Sequence, residues 1–232
     1  MIKIAIKICL LVASCVLLVG GVQAQDIEQD LDKMVAAYKD GERLYLEMEN
    51  TVYKGSEKVK AVSSTLLKSG SNYQYKTDEH QMVLNDKHVI FVDQRNYNLI
   101  VSTRNHQQEE LQQKAMPLTK DILKNYKEII YKGTEKGYKH YQLKNAQEQV
   151  IQIDLFFEVK TGFVKKAIYY YNPNLVPDNM STAIQLKVIN TAPSVSKSTF
   201  SANNFWTTQN KKLVPIGKYS KYSLYDNRSP KS

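Results

Sequence analysis

Four histidines are the residues best equipped for metal or proton chemistry: His80, His88, His106 and His140. A metal centre needs such groups at spacings that bring them to one point. None of the four forms His-x-x-x-His or a similar ligand spacing, and His80 and His88 fall on neighbouring strands without an obvious pairing register. Both cysteines, Cys9 and Cys15, lie near the start of the chain, in a stretch that reads as a leader. Asp154 and Glu158 share one parity of a strand. Residues i and i+4 of a strand are ~13 Å apart, so this pair reads as part of a solvent face rather than an acid–base couple. The sequence contains no Gly-x-Ser-x-Gly elbow, phosphate loop or dinucleotide fingerprint. No catalytic residues, metal or cofactor are expected, and the protein does not read as an enzyme.

Apolar chemistry is what remains. Gln81 to Ser102, QMVLNDKHVIFVDQRNYNLIVS, holds three short apolar runs separated by the polar knots NDK and DQRN. The middle run, Val89-Ile90-Phe91-Val92, is apolar at every position. Successive side chains of a strand point to opposite faces, so this strand asks for cover on both. Tyr73, Tyr75, Met82, Leu84, Val89, Phe91, Tyr97 and Leu99 are the candidates to line a concave, ligand-accepting face. The same residues also suit plain core packing. Their parity is open, because a register slip of one residue turns the set over.

The elements that would position these residues are mostly strands. Leu44, Leu46 and Met48 alternate with polar neighbours, as do Tyr73 and Tyr75. Val59 to Leu67 is β-branched and serine-rich, and Lys68 to Asn72 reads as a turn. Turns at Asn85-Asp86-Lys87 and near Arg95-Asn96 predict an antiparallel meander. Tyr138 to Leu143 alternates too. Along Gln149 to Lys160, Ile151, Ile153, Leu155, Phe157 and Val159 share a face, and Thr161-Gly162 turns the chain into Phe163 to Tyr171. Asn172 to Asn179 is a loop before a strand at Ser181 to Asn190. Two segments show helical periodicity: Asp26 to Leu44, with Ile27, Leu31, Met34, Val35 and Tyr38 on one face, and Asp121 to Ile130, with Ile122, Leu123, Tyr126, Ile129 and Ile130. About ten strands and two helices predict an α+β fold: a large curved antiparallel sheet, an incomplete β-barrel, with amphipathic helices covering its concave face.

At the N-terminus, Lys3 and Lys7 precede an apolar run from Ile8 to Val22 and the small-x-small signal Val22-Gln23-Ala24. That is the layout of a secretory signal peptide over residues 1–24, with one domain over 25–232. Two other layouts share these residues: an uncleaved anchor, although Lys7 interrupts the ~20 apolar residues usual for a span, and a lipoprotein anchored at Cys15. Removal of residues 1–24 takes both cysteines with it, so no disulfide framework is expected in the exported chain.

The net charge of +9 is mostly lysine, since only four arginines are present. Scattered lysines suit solubility. Nucleic acid is not expected, because no Arg–aromatic cluster supports it. The tail after Pro193 is aromatic and lysine-rich, and Lys211, Lys212, Lys218 and Lys221 are the best candidates for contact with an anionic membrane surface.

The order of these features resembles the outer-membrane lipoprotein carrier (LolA/LolB-like) family. The resemblance rests on the amphipathic helix after the signal, the Lys68 to Tyr75 strand with its Tyr-x-Tyr, the Asn85-Asp86-Lys87 turn, the apolar strand ending at Asp93, and the later hairpin at Thr161-Gly162. It implies an incomplete barrel with a helical lid and an apolar cavity that receives acyl chains. It departs from the family pattern in two places. The turn lacks the family's glycine, and Ser69 stands where carriers have the arginine that latches the lid. By this resemblance the chain would be a monomeric periplasmic carrier or binder of lipoprotein acyl chains or other lipid. The alternative is a non-transporting interaction or sensor module of the envelope on the same fold, working through the tail after Pro193.

Overall fold

A computed structural model describes residues 27–33, 36, 43–105, 120–176 and 178–228. The signal segment and the rest of the expected first helix lie outside those residues.

The fold is a large, mostly antiparallel sheet of twelve strands, hydrogen-bonded in the order β14-β6-β5-β4-β3-β2-β1-β11-β10-β9-β8-β7, beside a two-stranded ribbon of β12 and β13. The chain divides into two compact units. One holds the helix α1 (residues 27–33) and strands β7 (Glu128–Glu135), β8 (Tyr138–Lys144), β9 (Val150–Glu158) and β10 (Val164–Tyr171). The other holds β2 (Glu57–Ser69), β3 (Asn72–Thr77), β4 (His80–Leu84), β5 (His88–Asp93), β6 (Asn98–Thr103), β12 (Trp206–Gln209), β13 (Lys212–Pro215) and β14 (Ser223–Asn227). Strands β1 (Arg43–Lys54) and β11 (Met180–Asn190) give residues to both, and the first residue of β2, Glu57, belongs to the first unit.

The meander is as expected. Its two polar knots close because Asn85 and Asp93 fold their side chains onto the following backbone. Asn85 Oδ1 accepts the N–H groups of Lys87 and His88 at 3.0 and 2.9 Å. Asp93 Oδ1 accepts those of Arg95 and Asn96 at 3.0 and 3.1 Å. Such short polar side chains substitute for a missing ladder partner at the turn.

Two expectations change. Leu44 belongs to β1, so the first helix stops short of it. The second expected helix is only a 3-10 turn, Lys120–Asn125, and Ile129 and Ile130 lie in β7. There Ile129 pairs with Leu143 and Tyr131 with Tyr141, which places them on the buried face of β8. The apolar spacing of this segment served a turn followed by a strand, a confusion that short β-branched runs invite. The cover of the meander's fully buried face also comes from an unexpected source, the chain after Val195.

Candidate functional site

In the β2–β6 meander the register settles the parity that the sequence left open. Val83 pairs with Ile90, Ile90 with Val101, and Val92 with Leu99. All five are fully buried and share one face. Over them pack Phe200, Phe205, Trp206 and Tyr219 from the C-terminal segment, forming one core cluster. Trp206 starts β12, which returns as β13 through Asn210 and Lys211. Both of these have positive φ, 49° and 66°, as a two-residue hairpin loop requires. The segment ends as β14, which joins β6 in parallel with Leu224 opposite Leu99.

Polar bonds fasten this cover. Asn85 Nδ2 donates to the Phe200 carbonyl at 3.0 Å, and the Tyr219 hydroxyl donates to Gln81 Oε1 at 3.1 Å. Burial pushes the Tyr219 phenol up to about 12. Phe200, Phe205, Trp206 and Tyr219 are therefore core, whereas Lys211, Lys212, Lys218 and Lys221 are exposed.

The opposite face of the same strands is apolar and only half-buried. Leu66 pairs with Tyr75, Tyr75 with Met82, Met82 with Phe91, Phe91 with Ile100, and Ile100 with Tyr225 on β14. This row crosses six strands. Five interstrand steps of ~4.8 Å make it about 24 Å long. A second row, Tyr73, Leu84 and Val89, runs beside it. Leu84 is fully buried, whereas Tyr73, Tyr75, Met82, Val89, Phe91 and Ile100 are each partly open. Desolvation, with a smaller contribution from Tyr75, pushes the Tyr73 phenol up to about 12, so it stays neutral. His80 stacks on Phe91 with ring centroids 5.6 Å apart. At its β2 end the row runs into a small core of Leu44, Leu46 and Leu186, against which Leu66 and Met48 pack.

Six of the eight candidate residues thus share one face: Tyr73, Tyr75, Met82, Leu84, Val89 and Phe91. Leu99 lies on the other face, beneath the C-terminal cover. Tyr97 sits in the β5–β6 turn with φ of 53° and its ring against Tyr222. Ile100 and Tyr225 join the row although the sequence reading passed over them. Ile100 alternates with Leu99, and only the register shows which of the two faces the row.

The unit built on β7–β10 contains two polar centres that sequence reasoning missed. Buried Asp30 of α1 accepts Lys139 Nζ at 3.1 and 2.9 Å and the hydroxyl of fully buried Tyr141 at 2.9 Å. These bonds seat α1 on β8, alongside the buried Ile27 and Leu31. Asp154, expected on a solvent face, is buried instead. Gln142, Gln152 and Tyr170 donate to it at 3.1, 3.1 and 3.3 Å. Two cross-strand neighbours and Gln152 of its own strand thus supply the donors that a buried carboxylate demands. His140 stacks on Phe156, 4.3 Å between centroids, with its Nε2 3.6 Å from Asp154. Among the described residues, no group of three or more His, Cys, Asp or Glu is arranged to hold a metal ion.

Fold and site together define a large, mostly antiparallel sheet in which β4–β6 are sealed on one face by the C-terminal segment and carry part of an apolar row on the other. No family model matches the chain, and no curated protein matches it in sequence. Solved structures do align with it. An uncharacterized conserved protein from Thermus thermophilus aligns over 87% of this chain and 99% of its own length, with TM-score 0.50 and 6% identity. A LolA superfamily protein from Nitrosomonas europaea aligns over 76% of this chain and 97% of its own, with TM-score 0.35 and 8% identity. A chain of the Pseudomonas aeruginosa MucA/MucB complex aligns over 76% of this chain and 61% of its own, with TM-score 0.39 and 10% identity. At 6% identity the likeness to the Thermus thermophilus protein is one of fold alone.

Proposed function

We propose that this protein is a non-enzymatic envelope protein that binds lipid or lipoprotein acyl chains on the half-buried face of the β2–β6 meander. The observation that carries the reading is the row from Leu66 to Tyr225. Single exposed apolar residues are ordinary on a protein surface, whereas a continuous band across six strands is not. A band about 24 Å long, lined by a methionine and several aromatic rings, suits a long flexible hydrocarbon better than a compact polar ligand. The family resemblance read from Lys68 to Tyr75 and Asn85-Asp86-Lys87 points to the same ligand. The basic n-region and apolar run before Ala24 support export to the envelope. The alternative of a free interaction tail is weakened, because Phe200, Phe205, Trp206 and Tyr219 are spent on the core.

Displacement of a fluorescent fatty acid tests the proposal. The wild-type chain should bind the probe, and Phe91→Ser should weaken binding roughly tenfold, as expected for loss of one large apolar contact surface. Native mass spectrometry of the protein purified from membrane-rich cells should show a lipid adduct. Absence of probe binding together with only apo protein would refute the reading.

A further inference from the structure

The turn end of the β5–β6 hairpin carries a surface that acyl binding does not use. Tyr97 closes this turn with φ of 53°, a left-handed conformation uncommon for an aromatic residue, yet its side chain is 58% exposed. Its surroundings hold it there. The Tyr97 carbonyl accepts the Ser223 N–H at 2.8 Å, and its ring meets the Tyr222 ring at 5.4 Å and 72°. Tyr222 in turn meets buried Tyr219 at 5.3 Å and 82°. Backbone strain is maintained here to present a tyrosine to solvent, which is the pattern expected of a contact site.

Asp93 in this turn is bonded to the Arg95 and Asn96 N–H groups, and the C-terminal side of the edge is one-sided in charge. Residues 191–225 contain five lysines and no aspartate or glutamate. Two of the lysines, Lys218 and Lys221, bracket Tyr219 and adjoin Tyr222, and both are exposed. Lys218 Nζ lies 4.9 Å from the Tyr219 ring centroid. Arg95, exposed in the same turn, is engaged by Glu79, so the available charge rests with the lysines. Amphipathic rings beside ammonium groups match the chemistry of a bilayer interface, where rings settle at headgroup level and lysines meet phosphates. An acidic protein would require a fixed pattern of donors. Flexible lysines around two tyrosines ask only for a laterally uniform anionic surface.

The geometry points to the Asp93–Asn98 turn, together with Gly217–Tyr222, as a docking edge for a bilayer bearing anionic phosphate headgroups. The edge lies at strand ends rather than on the apolar face, so it does not depend on the acyl-binding reading.

Vesicle flotation of the full chain decides the matter, using phosphatidylcholine with and without phosphatidylglycerol. Binding should require phosphatidylglycerol and weaken with salt. Each lysine near such a surface contributes roughly a fivefold factor, so K218Q/K221Q should lower partitioning roughly 25-fold. Tyr97→Gly, which suits the positive φ and removes the ring, should also weaken it. The exposed pair on β2, K58Q/K60Q, should stay within about twofold of wild type if position matters and not net charge alone. Phe91→Ser should float like wild type, which separates this edge from the acyl row. Failure to bind phosphatidylglycerol vesicles, an equal loss in K58Q/K60Q, or capture by poly-glutamate beads without vesicle binding would each overturn the proposal.

Discussion

Asp30 provides the sharpest test of how α1 is held. Asp30 is 4% exposed, and its carboxylate receives three donor contacts: two from Lys139 and one from the Tyr141 hydroxyl. In Asp30→Ala the two partners fare differently. Lys139, with its side chain 30% exposed, can turn its ammonium toward water, so the lost ion pair must be discounted for solvent screening. Tyr141 is fully buried and cannot do the same. Loss of its charge-assisted hydrogen bond to the carboxylate costs ~1–3 kcal/mol. A loss of about 2–4 kcal/mol is therefore expected in urea unfolding, against roughly 0.5 kcal/mol or less for the exposed helix neighbour Glu28→Ala. Adding Tyr141→Phe to Asp30→Ala should cost less than the sum of the two, because both substitutions remove the same hydrogen bond, with a coupling of about 1–2 kcal/mol. Strict additivity, or an Asp30→Ala variant as stable as wild type, would show that these bonds do not hold the helix.

Other outcomes follow from the C-terminal cover. Trp206→Ala should destabilise by about 3–5 kcal/mol in the same unfolding assay, as for a buried large aromatic side chain. Tyr219→Phe should cost about 1–2 kcal/mol by leaving Gln81 Oε1 without its donor, and Gln81→Leu in that background should recover part of the loss. His88 makes this cover acid-sensitive. Its ring packs edge-on against Trp206 at 5.6 Å. Desolvation first, then the charges of Arg228 and Lys87, hold its pKa below 6.5. The unfolded chain therefore binds the proton more readily. The stability this gives is present above pH 6.5 and is lost as pH falls through the folded value. Unfolding midpoints measured from pH 7.5 downward should fall more steeply for wild type than for His88→Gln.

Much of the meander was legible in the sequence because its signals are local. Asn85 and Asp93 carry their turn chemistry in their own side chains, and Ile153, Leu155 and Phe157 alternate as a strand with one buried face must. What the sequence hid is non-local. Whether Leu99 or Ile100 faces the apolar row depends on the pairing of β5 with β6. That Asp154 is buried depends on Gln142 and Tyr170, which come from the strands on either side. The 3-10 turn and β7 were mistaken for a helix because Ile122, Leu123, Tyr126, Ile129 and Ile130 fit its period. Tyr126 and Ile129 nonetheless do different work: the Tyr126 hydroxyl donates to the Val150 carbonyl at 3.1 Å, and Ile129 pairs across to Leu143.

The wholly apolar strand Val89 to Val92 shows how such a pattern divides between stability and function. Ile90 and Val92 are sealed by Trp206, Phe205 and Tyr219, and that cover does not reach Val89 and Phe91 on the other face. A strand serving core alone could be sealed equally on both sides. Here the sealed face, fixed by Asn85 to Phe200 and by Tyr219 to Gln81, can supply the rigidity. That frees the opposite row to stay partly open without collapsing the sheet. A substitution at Ile90 should therefore register in unfolding more than in acyl binding, and one at Phe91 the reverse. Ile90→Ala is expected to cost about 2–5 kcal/mol with probe affinity retained in the folded fraction, whereas Phe91→Ser should lose affinity at a smaller cost in stability. If both substitutions shift stability and affinity in parallel, the two faces are one core, and the division of labour fails.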